Sequence, residues 1–398
     1  MSNVECRVPQ VDGTPQTCAA GRIRRHRPPS TVSCGPRPDC GGWIVEPAPF
    51  DNPPSTIHNR GVLSQLSNRL LPLLQLTRLA LVFTAIADGW CNLLLLTRAE
   101  VGPRASVWAA LGPVPFLLVA GVAIGLYGFG MTLNDLIDRR RDAAIAPNRP
   151  LPSGRVSPTT ATILCGILLT LALASGLTYV LRQEAIGGLS FVLVIFTAML
   201  IAFYDFAGKY LVAPGLITLG LIRFFHSLIA APQMPVLWHS LLLLDHVAIV
   251  STIAYAWEQK RPAISRRQAW LVISGLAVLN AMVVSLVLMR RLDRMTAMQA
   301  LRFEPGLLLP AIAVTGFLTV ATFIRVRATA PRQAGQTLML TGLLWLIIYD
   351  AAFVAGYVSF AWAGAIALLL PVAYLSVLTM RWWSTIVALS QRPEFKRV

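Results

Sequence analysis

Charged residues are scarce in this sequence: Asp, Glu, Lys and Arg together make up 13% of its 398 residues. An ordinary soluble domain carries about 25%, so that class of protein is excluded. The 55% share of hydrophobic residues equally excludes a chain that is disordered throughout. Most apolar runs exceed about 18 residues, which is enough for a helix to cross a bilayer. We therefore predict an all-α, polytopic transmembrane helix bundle of about nine to ten spans.

Among the charged residues, lysine and the acidic residues are scarce, and arginine predominates. The chain has 18 Asp and Glu against 34 Lys and Arg, and Lys occurs only at Lys209, Lys260 and Lys396. A basic balance can indicate nucleic-acid binding, but these basic residues lie in short loops between apolar runs. Cytoplasmic loops of membrane proteins collect Lys and Arg, and an N-terminus inside places most of them there; loop 290–302 is an exception. We expect a multi-pass protein of a bacterial inner membrane that binds no nucleic acid.

Cysteine is too sparse and too irregularly spaced for a disulfide framework or a zinc motif. Cys6, Cys18, Cys34 and Cys40 fall in a polar leader, and two further cysteines fall in apolar runs. The spacing therefore predicts that the four cysteines of the leader are unrelated thiols.

The chain divides into three parts. Residues 1–70 hold ten of the 27 prolines and no long apolar run, which predicts a disordered, Pro/Arg-rich cytoplasmic leader; a start codon assigned too early is the alternative. Residues 71–380 form the predicted bundle, and 381–398 form a basic tail. The candidate spans are 71–97, 107–133, 158–181, 185–205, 211–231, 237–257, 268–290, 306–325, 338–357 and 360–380.

A cluster of acids follows the second predicted span. Asp135, Asp138 and Asp142 are spaced i, i+3, i+7, so a helix places the three carboxylates on one face, with Asn134 beside Asp138. Converging oxygen ligands suit Mg²⁺, which commonly shares its shell with substrate phosphates. The plainer alternative is a solvated loop whose acids pair with Arg139–Arg141.

A Pro/Gly-rich loop, Pro147–Arg155, comes next. Its prolines and glycine predict a fixed turn that holds Arg149 and Arg155 near the acids. An Arg guanidinium binds phosphate through two parallel hydrogen bonds. Acids that hold a metal, with arginines close by, form the arrangement that a diphosphate leaving group needs.

These two motifs together carry a resemblance to a known family. N-D-x-x-D-x-x-x-D followed by R-P-L-P-S-G-R resembles the first signature of the UbiA family of intramembrane prenyltransferases. The resemblance implies a helical bundle that transfers a prenyl group from an isoprenoid diphosphate to an aromatic or other small acceptor. It implies Mg²⁺ as cofactor, held by Asn134, Asp135, Asp138 and Asp142. The segment around Thr77 and Phe83–Asp88 also resembles the EboC-like branch of this family.

Further site residues follow from that resemblance. The segment from Tyr204 to Lys209 is similar to the family's Y-x-x-x-K element, with one more residue before the Lys, and implies a phosphate-facing ammonium. Tyr204 is a candidate to face the allylic cation through its ring. An interfacial Tyr and a snorkelling Lys are the alternative. Arg223 lies inside the fifth span and is predicted to pair with an acid or with the diphosphate.

The second family signature, an Asp-rich loop after the sixth span, is degraded here. The segment offers one acid, Glu258, followed by Lys260 and Arg261. We predict a catalytic contribution from Glu258 and phosphate contacts from the two basic residues; positive-inside loop residues are the alternative. Three further acids inside spans are functional candidates by default: Asp88, Asp245 and Asp350.

The predicted function is Mg²⁺-dependent prenyl transfer within the bilayer, with Arg149, Arg155 and Lys209 stabilising charge on the leaving diphosphate. The partners are an isoprenoid diphosphate, an unidentified acceptor and lipid. A non-catalytic isoprenoid or lipid-diphosphate binder or transporter on the same scaffold is the alternative, and loss of the second acidic motif favours it.

Overall fold

The computed structural model describes residues 72–77, 81–183, 187–233, 236–260, 262–292 and 304–390, and these residues contain helices and no strand. The predicted leader and the end of the tail lie outside the described residues. The helices are α1 (72–76), α2 (Val82–Val101), α3 (Val107–Leu111), α4 (Val114–Ile145), α5 (Pro158–Arg182), α6 (Leu189–Phe206), α7 (Val212–Leu228), α8 (Leu237–Trp257), α9 (Arg266–Leu292), α10 (Leu308–Arg327), α11 (Pro331–Tyr357), α12 (Phe360–Ala367) and α13 (Leu369–Ser390).

Eight segments of the described chain are long and apolar enough to cross a membrane. They are α4, α5, α6, α8, α9, α10 with the turn before it, α11, and α12 joined to α13. Two more helices coincide with predicted spans: α7 is apolar but has 17 residues, and α2 carries Asp88, Arg98 and Glu100 among its 20 residues. The polytopic all-α bundle is confirmed, and the predicted count of nine to ten is approximate.

The limits of the second predicted span, 107–133, are wrong at both ends. The short helix α3 stops at Gly112, whose φ of 61° lies in the left-handed region, and Pro113 opens α4. At its other end α4 continues to Ile145. The acidic motif therefore lies on the last turns of a long helix instead of in a loop.

Helices α4 and α5 pack closely because glycine replaces larger side chains at their contact. A Cβ on Gly125 would lie 2.6 Å from the backbone nitrogen of Ala172 and 2.7 Å from the carbonyl oxygen of Leu168. Small residues let helix backbones approach in membranes, where burial from water does not drive association. This contact sets a short distance between α4 and α5.

Helix α2 runs antiparallel to α4 along the half of α4 that lies away from the acids. Val82 packs in one cluster with Ala123, and further along α2 the Trp90 Nε1 donates to the carbonyl of Phe116 at 2.8 Å. Groups on the second half of α2 therefore lie far from the acidic motif.

Candidate active site

The acids of α4 occupy the end of the bundle where α4, the loop 146–157 and the turn after α6 meet; we call this the acidic end. Asp135 is 5% exposed and Asp142 is 3% exposed. Arg149 from the loop reaches both: its Nη1 lies 2.5 Å from Asp142 Oδ2 and 4.0 Å from Asp135 Oδ1. The helix places these two carboxylates toward one guanidinium, as the i, i+7 spacing predicts.

Lys209 contacts the remaining acid of the motif. A short 3-10 turn, Gly208–Tyr210, follows α6 and presents Lys209 Nζ 2.8 Å from Asp138 Oδ1. The turn is held against α7, where a Cβ on Gly215 would collide with the carbonyl of Gly208. The segment with one extra residue before the Lys therefore still delivers its ammonium to the acids.

Asp205 is a fourth carboxylate at the acidic end, and the sequence reasoning did not place it there. It lies on the last turn of α6 and is 2% exposed. With the Asn134 amide turned to offer its nitrogen, that nitrogen donates to Asp205 Oδ1 at 3.2 Å and to Asp138 Oδ2 at 3.3 Å. Two carboxylates from different helices thus converge on one amide group.

Four carboxylates meet at the acidic end. Among the described residues their ion pairs are with Arg149 and Lys209. Arg139, Arg140 and Arg141 are exposed, so the contacts favour the site over a solvated loop neutralised by its own arginines. An oxygen-rich cluster of acids is suited to a divalent cation such as Mg²⁺.

Arg155 shapes the loop instead of contacting the acids. Its guanidinium donates to Ser153 Oγ at 3.0 Å, to Gln75 Oε1 at 3.0 Å and to the carbonyl of Asn148 at 2.6 Å. Gly154, with φ of 74°, makes the turn between Ser153 and Arg155. These bonds tie the loop to the segment before α2, and the predicted diphosphate contact of Arg155 stays a prediction.

Tyr204 lies half-buried on the last turn of α6. Its electrostatic neighbours are Asp205, Asp138 and Tyr255 of α8. Arg141 in turn acts on Tyr255. Tyr204 therefore lies near the acids of α4 and the end of α8, and its predicted role beside the substrate stays a prediction.

The loop after α8 holds the residues predicted to replace the second acidic motif. Glu258 ends α8, and its Oε2 lies 3.1 Å from Lys260 Nζ, which also lies 5.9 Å from the Tyr255 ring centroid. Gly335 of α11 packs on Glu258, since a Cβ there would lie 2.7 Å from Glu258 Cγ. Arg261 lies outside the described residues. The one acid of this loop is thus paired with its own neighbouring lysine.

Arg223 is not brought to the acidic end. Its Nη1 lies 2.9 Å from Asp88 Oδ2, and its Nη2 donates to Thr84 Oγ1. Asp245, another acid inside a span, accepts from Asn280 Nδ2 of α9 at 2.8 Å. These contacts are those of buried helix-to-helix pairs, and a diphosphate contact for Arg223 stays a prediction.

The fold and the site define a multi-pass membrane protein with a cluster of acids at one end of its bundle. Residues 101–264 match the sequence model of the UbiA prenyltransferase family. A stretch of 47 residues is 45% identical to digeranylgeranylglyceryl phosphate synthase of Methanothrix thermoacetophila, and the match spans 12% of this chain and 18% of that protein. The middle of the chain is therefore similar to the UbiA prenyltransferase family, in agreement with the resemblance that the acidic motif carries.

Solved structures resemble this chain over most of its length. One, from work on digeranylgeranylglyceryl phosphate synthase in membranes, has a TM-score of 0.50 and 20% identity and covers 73% of this chain and 99% of that one. A UbiA homologue from Archaeoglobus fulgidus, bound to GPP and Mg²⁺, has a TM-score of 0.40 and 16% identity and covers 71% and 99%. The first of these shows that the fold is UbiA-like.

Proposed function

We propose that this protein transfers a prenyl group from an isoprenoid diphosphate to a small acceptor in a bacterial inner membrane, with the acidic end facing the cytoplasm. The observation that carries the proposal is the meeting of Asp135, Asp138, Asp142 and Asp205 with Arg149 and Lys209. Prenyl transfer is the activity in the name of the family. The donor class and the metal are those that the resemblance of the acidic motif implies.

The residues at the acidic end fit Mg²⁺ by the chemistry of their donors. Oxygen atoms are the ligands that this end offers to an ion: they come from Asn134, Asp135, Asp138 and Asp142, and Asp205 adds a further carboxylate. When bound, Mg²⁺ neutralises negative charge on the diphosphate as it leaves. A bound Mg²⁺ would offset two negative charges of the four acids, and Arg149 and Lys209 would offset charge on the donor.

Arg149 and Lys209 bind the diphosphate in this proposal. Each now contacts a carboxylate at 2.5–2.8 Å, and each can turn to a phosphate oxygen once a metal takes over that carboxylate. Their charge then lies where negative charge develops as the carbon–oxygen bond breaks, which lowers the barrier. Arg155 holds the loop that carries Arg149, so we assign it a positioning role beside its predicted phosphate contact.

Tyr204 and the apolar helices protect the carbon that remains. The Tyr204 ring is proposed to face the allylic cation, and the prenyl chain lies among the apolar side chains of the bundle. Exclusion of water there prevents hydrolysis of the cation. Glu258 and Lys260 close the same end from α8, with Lys260, whose side chain is 48% exposed, available to a phosphate.

A second candidate function is non-catalytic binding or transport of an isoprenoid diphosphate. The ion pair between Glu258 and Lys260 favours it, because the one acid of the second loop is already neutralised. A binder would keep the first site and release no diphosphate.

Diphosphate release by the purified full chain in nanodiscs separates the two functions. Geranyl, farnesyl and geranylgeranyl diphosphates would be supplied with Mg²⁺ and a lipid extract as the acceptor source. We expect release that is lost in Asp138→Asn and retained in Asp245→Asn, a matched acid-to-amide change whose residue bonds Asn280 instead. Donor binding without release for every donor would contradict prenyl transfer and support the binder.

A further inference from the structure

A second polar cluster lies inside the bundle, between α2, α7, α8 and α11. Asp88, Cys91, His239 and Asp350 are each 0% exposed, and Arg223 is 9% exposed. Ionisable residues inside a membrane are costly, so they usually serve a function and have identifiable partners. The cluster joins α2, near the start of the described chain, to α11, near its end.

This cluster is separate from the acidic end. Gly89, next to Asp88 on α2, packs against Val119 of α4, since a Cβ on Gly89 would lie 2.6 Å from Val119 Cγ1. With a rise of about 1.5 Å per residue, Asp138 lies about 28 Å further along α4 than Val119. The groups of the cluster therefore do not reach a diphosphate bound by Asp138 and Lys209.

Three of its side chains bring metal-binding atoms together. One ligand atom each from Cys91, His239 and Asp350 lie within 4.8 Å of one another. His239 Nε2 is 2.7 Å from Asp350 Oδ1, and Cys91 Sγ is 3.6 Å from the Asp350 carbonyl. The sulfur, imidazole and carboxylate come from α2, α8 and α11, so only the tertiary fold assembles them.

Two buried atoms of these side chains have unmet bonding capacity. Among the described residues, His239 Nδ1 and Asp350 Oδ2 have no hydrogen-bond donor or acceptor of ordinary geometry. The neighbouring Asp88 carboxylate cannot satisfy Asp350 unless a proton lies between the two. Buried polar atoms are nearly always paired, and an exception is explained by strain, a functional role, or a water or ion bound at the site.

We propose that Cys91, His239 and Asp350 bind a zinc-class divalent transition metal that clamps α2, α8 and α11 together. Thiolate, imidazole and carboxylate are the ligands that Zn²⁺ takes in proteins, whereas Mg²⁺ takes oxygen. Tetrahedral ligation needs the His239 nitrogen and the Asp350 oxygen to part by about half an ångström from their present contact.

Charge balance is compatible with the metal in this apolar interior. Zn²⁺ and the Arg223 guanidinium carry three positive charges, and the Cys91 thiolate with the Asp88 and Asp350 carboxylates carries three negative ones; His239 is neutral. Binding releases two protons, one from the Cys91 thiol and one shared by Asp350. The alternative to a metal is a proton that stays in the cluster, held between Asp350 and His239.

Metal content of the full chain tests the proposal, which does not depend on prenyl transfer. The background variant replaces Cys6, Cys18, Cys34 and Cys40 by Ser, so that leader thiols bind no metal. After expression with zinc, elemental analysis of the protein in detergent should find about one zinc per chain. Substitution by Co²⁺ should give tetrahedral ligand-field bands and a sulfur-to-cobalt charge-transfer band, which an oxygen-only site cannot produce.

Variants then assign the ligands. Cys91→Ser and His239→Gln should lose the charge-transfer band or the zinc, and Cys165→Ser should keep both, because Cys165 is a buried cysteine on α5 outside the cluster. Chelation of the background protein should lower its unfolding temperature, and zinc should restore it. Absence of zinc and of the cobalt bands in the well-folded background protein would overturn the proposal without any ligand variant. Retention of the charge-transfer band in Cys91→Ser would do so as well.

Discussion

Lys209 Nζ lies 2.8 Å from Asp138 Oδ1 and thereby joins the turn after α6 to the last turns of α4. The two side chains are 10% and 15% exposed, so this ion pair is close to the apolar interior yet open to a ligand from the acidic end. In the proposed reaction the pair separates, the carboxylate going to the metal and the ammonium to the diphosphate. Each partner can therefore be tested by a distinct measurement.

Asp138→Asn should remove a metal ligand while keeping the side-chain shape. We expect Mn²⁺ affinity in the presence of a prenyl diphosphate to fall by more than about 100-fold, beyond the 10–100-fold typical of outer-sphere partners. Mn²⁺ electron paramagnetic resonance on the protein in detergent measures this directly. Unchanged Mn²⁺ affinity would remove Asp138 from the metal site.

Lys209→Met should leave the metal site in place and remove the ammonium from the leaving group. The expected result is a fall in kcat of about 10²–10³, the range seen when one stabilising group for developing charge is lost. Mn²⁺ affinity without donor should stay the same or rise, since Asp138 loses its competing cation. A change in KM alone, with kcat intact, would limit Lys209 to ground-state binding.

Asp205→Asn tests whether α6 supplies a carboxylate that the second acidic loop lacks. We expect at least about a tenfold loss of Mn²⁺ affinity, with helix content unchanged, because the amide still fits beside Asn134. Asp245→Asn is the control, as it makes the same chemical change at a carboxylate that contacts α9 instead. Equal effects of the two variants would indicate a general electrostatic change and not a ligand at Asp205.

The acidic motif could be predicted from sequence because its geometry is local. Asp135 and Asp142 are two turns apart on α4, and Arg149 lies in the loop that directly follows this helix. Asp205 could not be assigned in this way, since its approach to Asn134 depends on how α4 and α6 pack. The Cys91, His239 and Asp350 cluster is equally non-local: Cys91 and Asp350 are 259 residues apart. Its cysteine looked unrelated to any ligand because zinc spacing rules apply to neighbouring residues in sequence.

The sequence carries recognisable signals for two helix boundaries. Gly112 and Pro113 are a turn signal within the second predicted span, and the break falls there. The split near Ser359 was expected, and Ser359 does begin α12, its Oγ accepting from Trp362 N. The continuation of α4 to Ile145 was not predicted by hydropathy, since its last turns are polar and leave the apolar part of the bundle.

Glu258→Gln distinguishes a catalytic carboxylate from a partner that only holds Lys260. If Glu258 takes part in turnover, kcat should fall by about tenfold or more, within the range of a lost acid or base contribution. If it only orients Lys260, then Lys260→Met should reproduce the effect of Glu258→Gln on donor KM, and the double variant should add nothing further. Steady-state diphosphate release measures both parameters. An unaffected rate in both single variants would make this loop a bystander.

Arg223→Met should destabilise the bundle strongly, because it leaves the Asp88 carboxylate buried without its cation. Removing one partner of a buried ion pair costs about 3–5 kcal/mol, whereas replacing both with uncharged groups is often nearly neutral. The double variant Asp88→Asn, Arg223→Met should therefore have a higher unfolding temperature in detergent than Arg223→Met alone.

The double variant also tests the sequence-based assignment of Arg223 to the diphosphate. Donor affinity should match that of the wild type, because Arg223 pairs with Asp88 inside the bundle, away from the acidic end. A loss of donor affinity in a double variant that folds well would instead support a phosphate contact for Arg223, and would require the bundle to bring that guanidinium toward the acidic end when the donor binds.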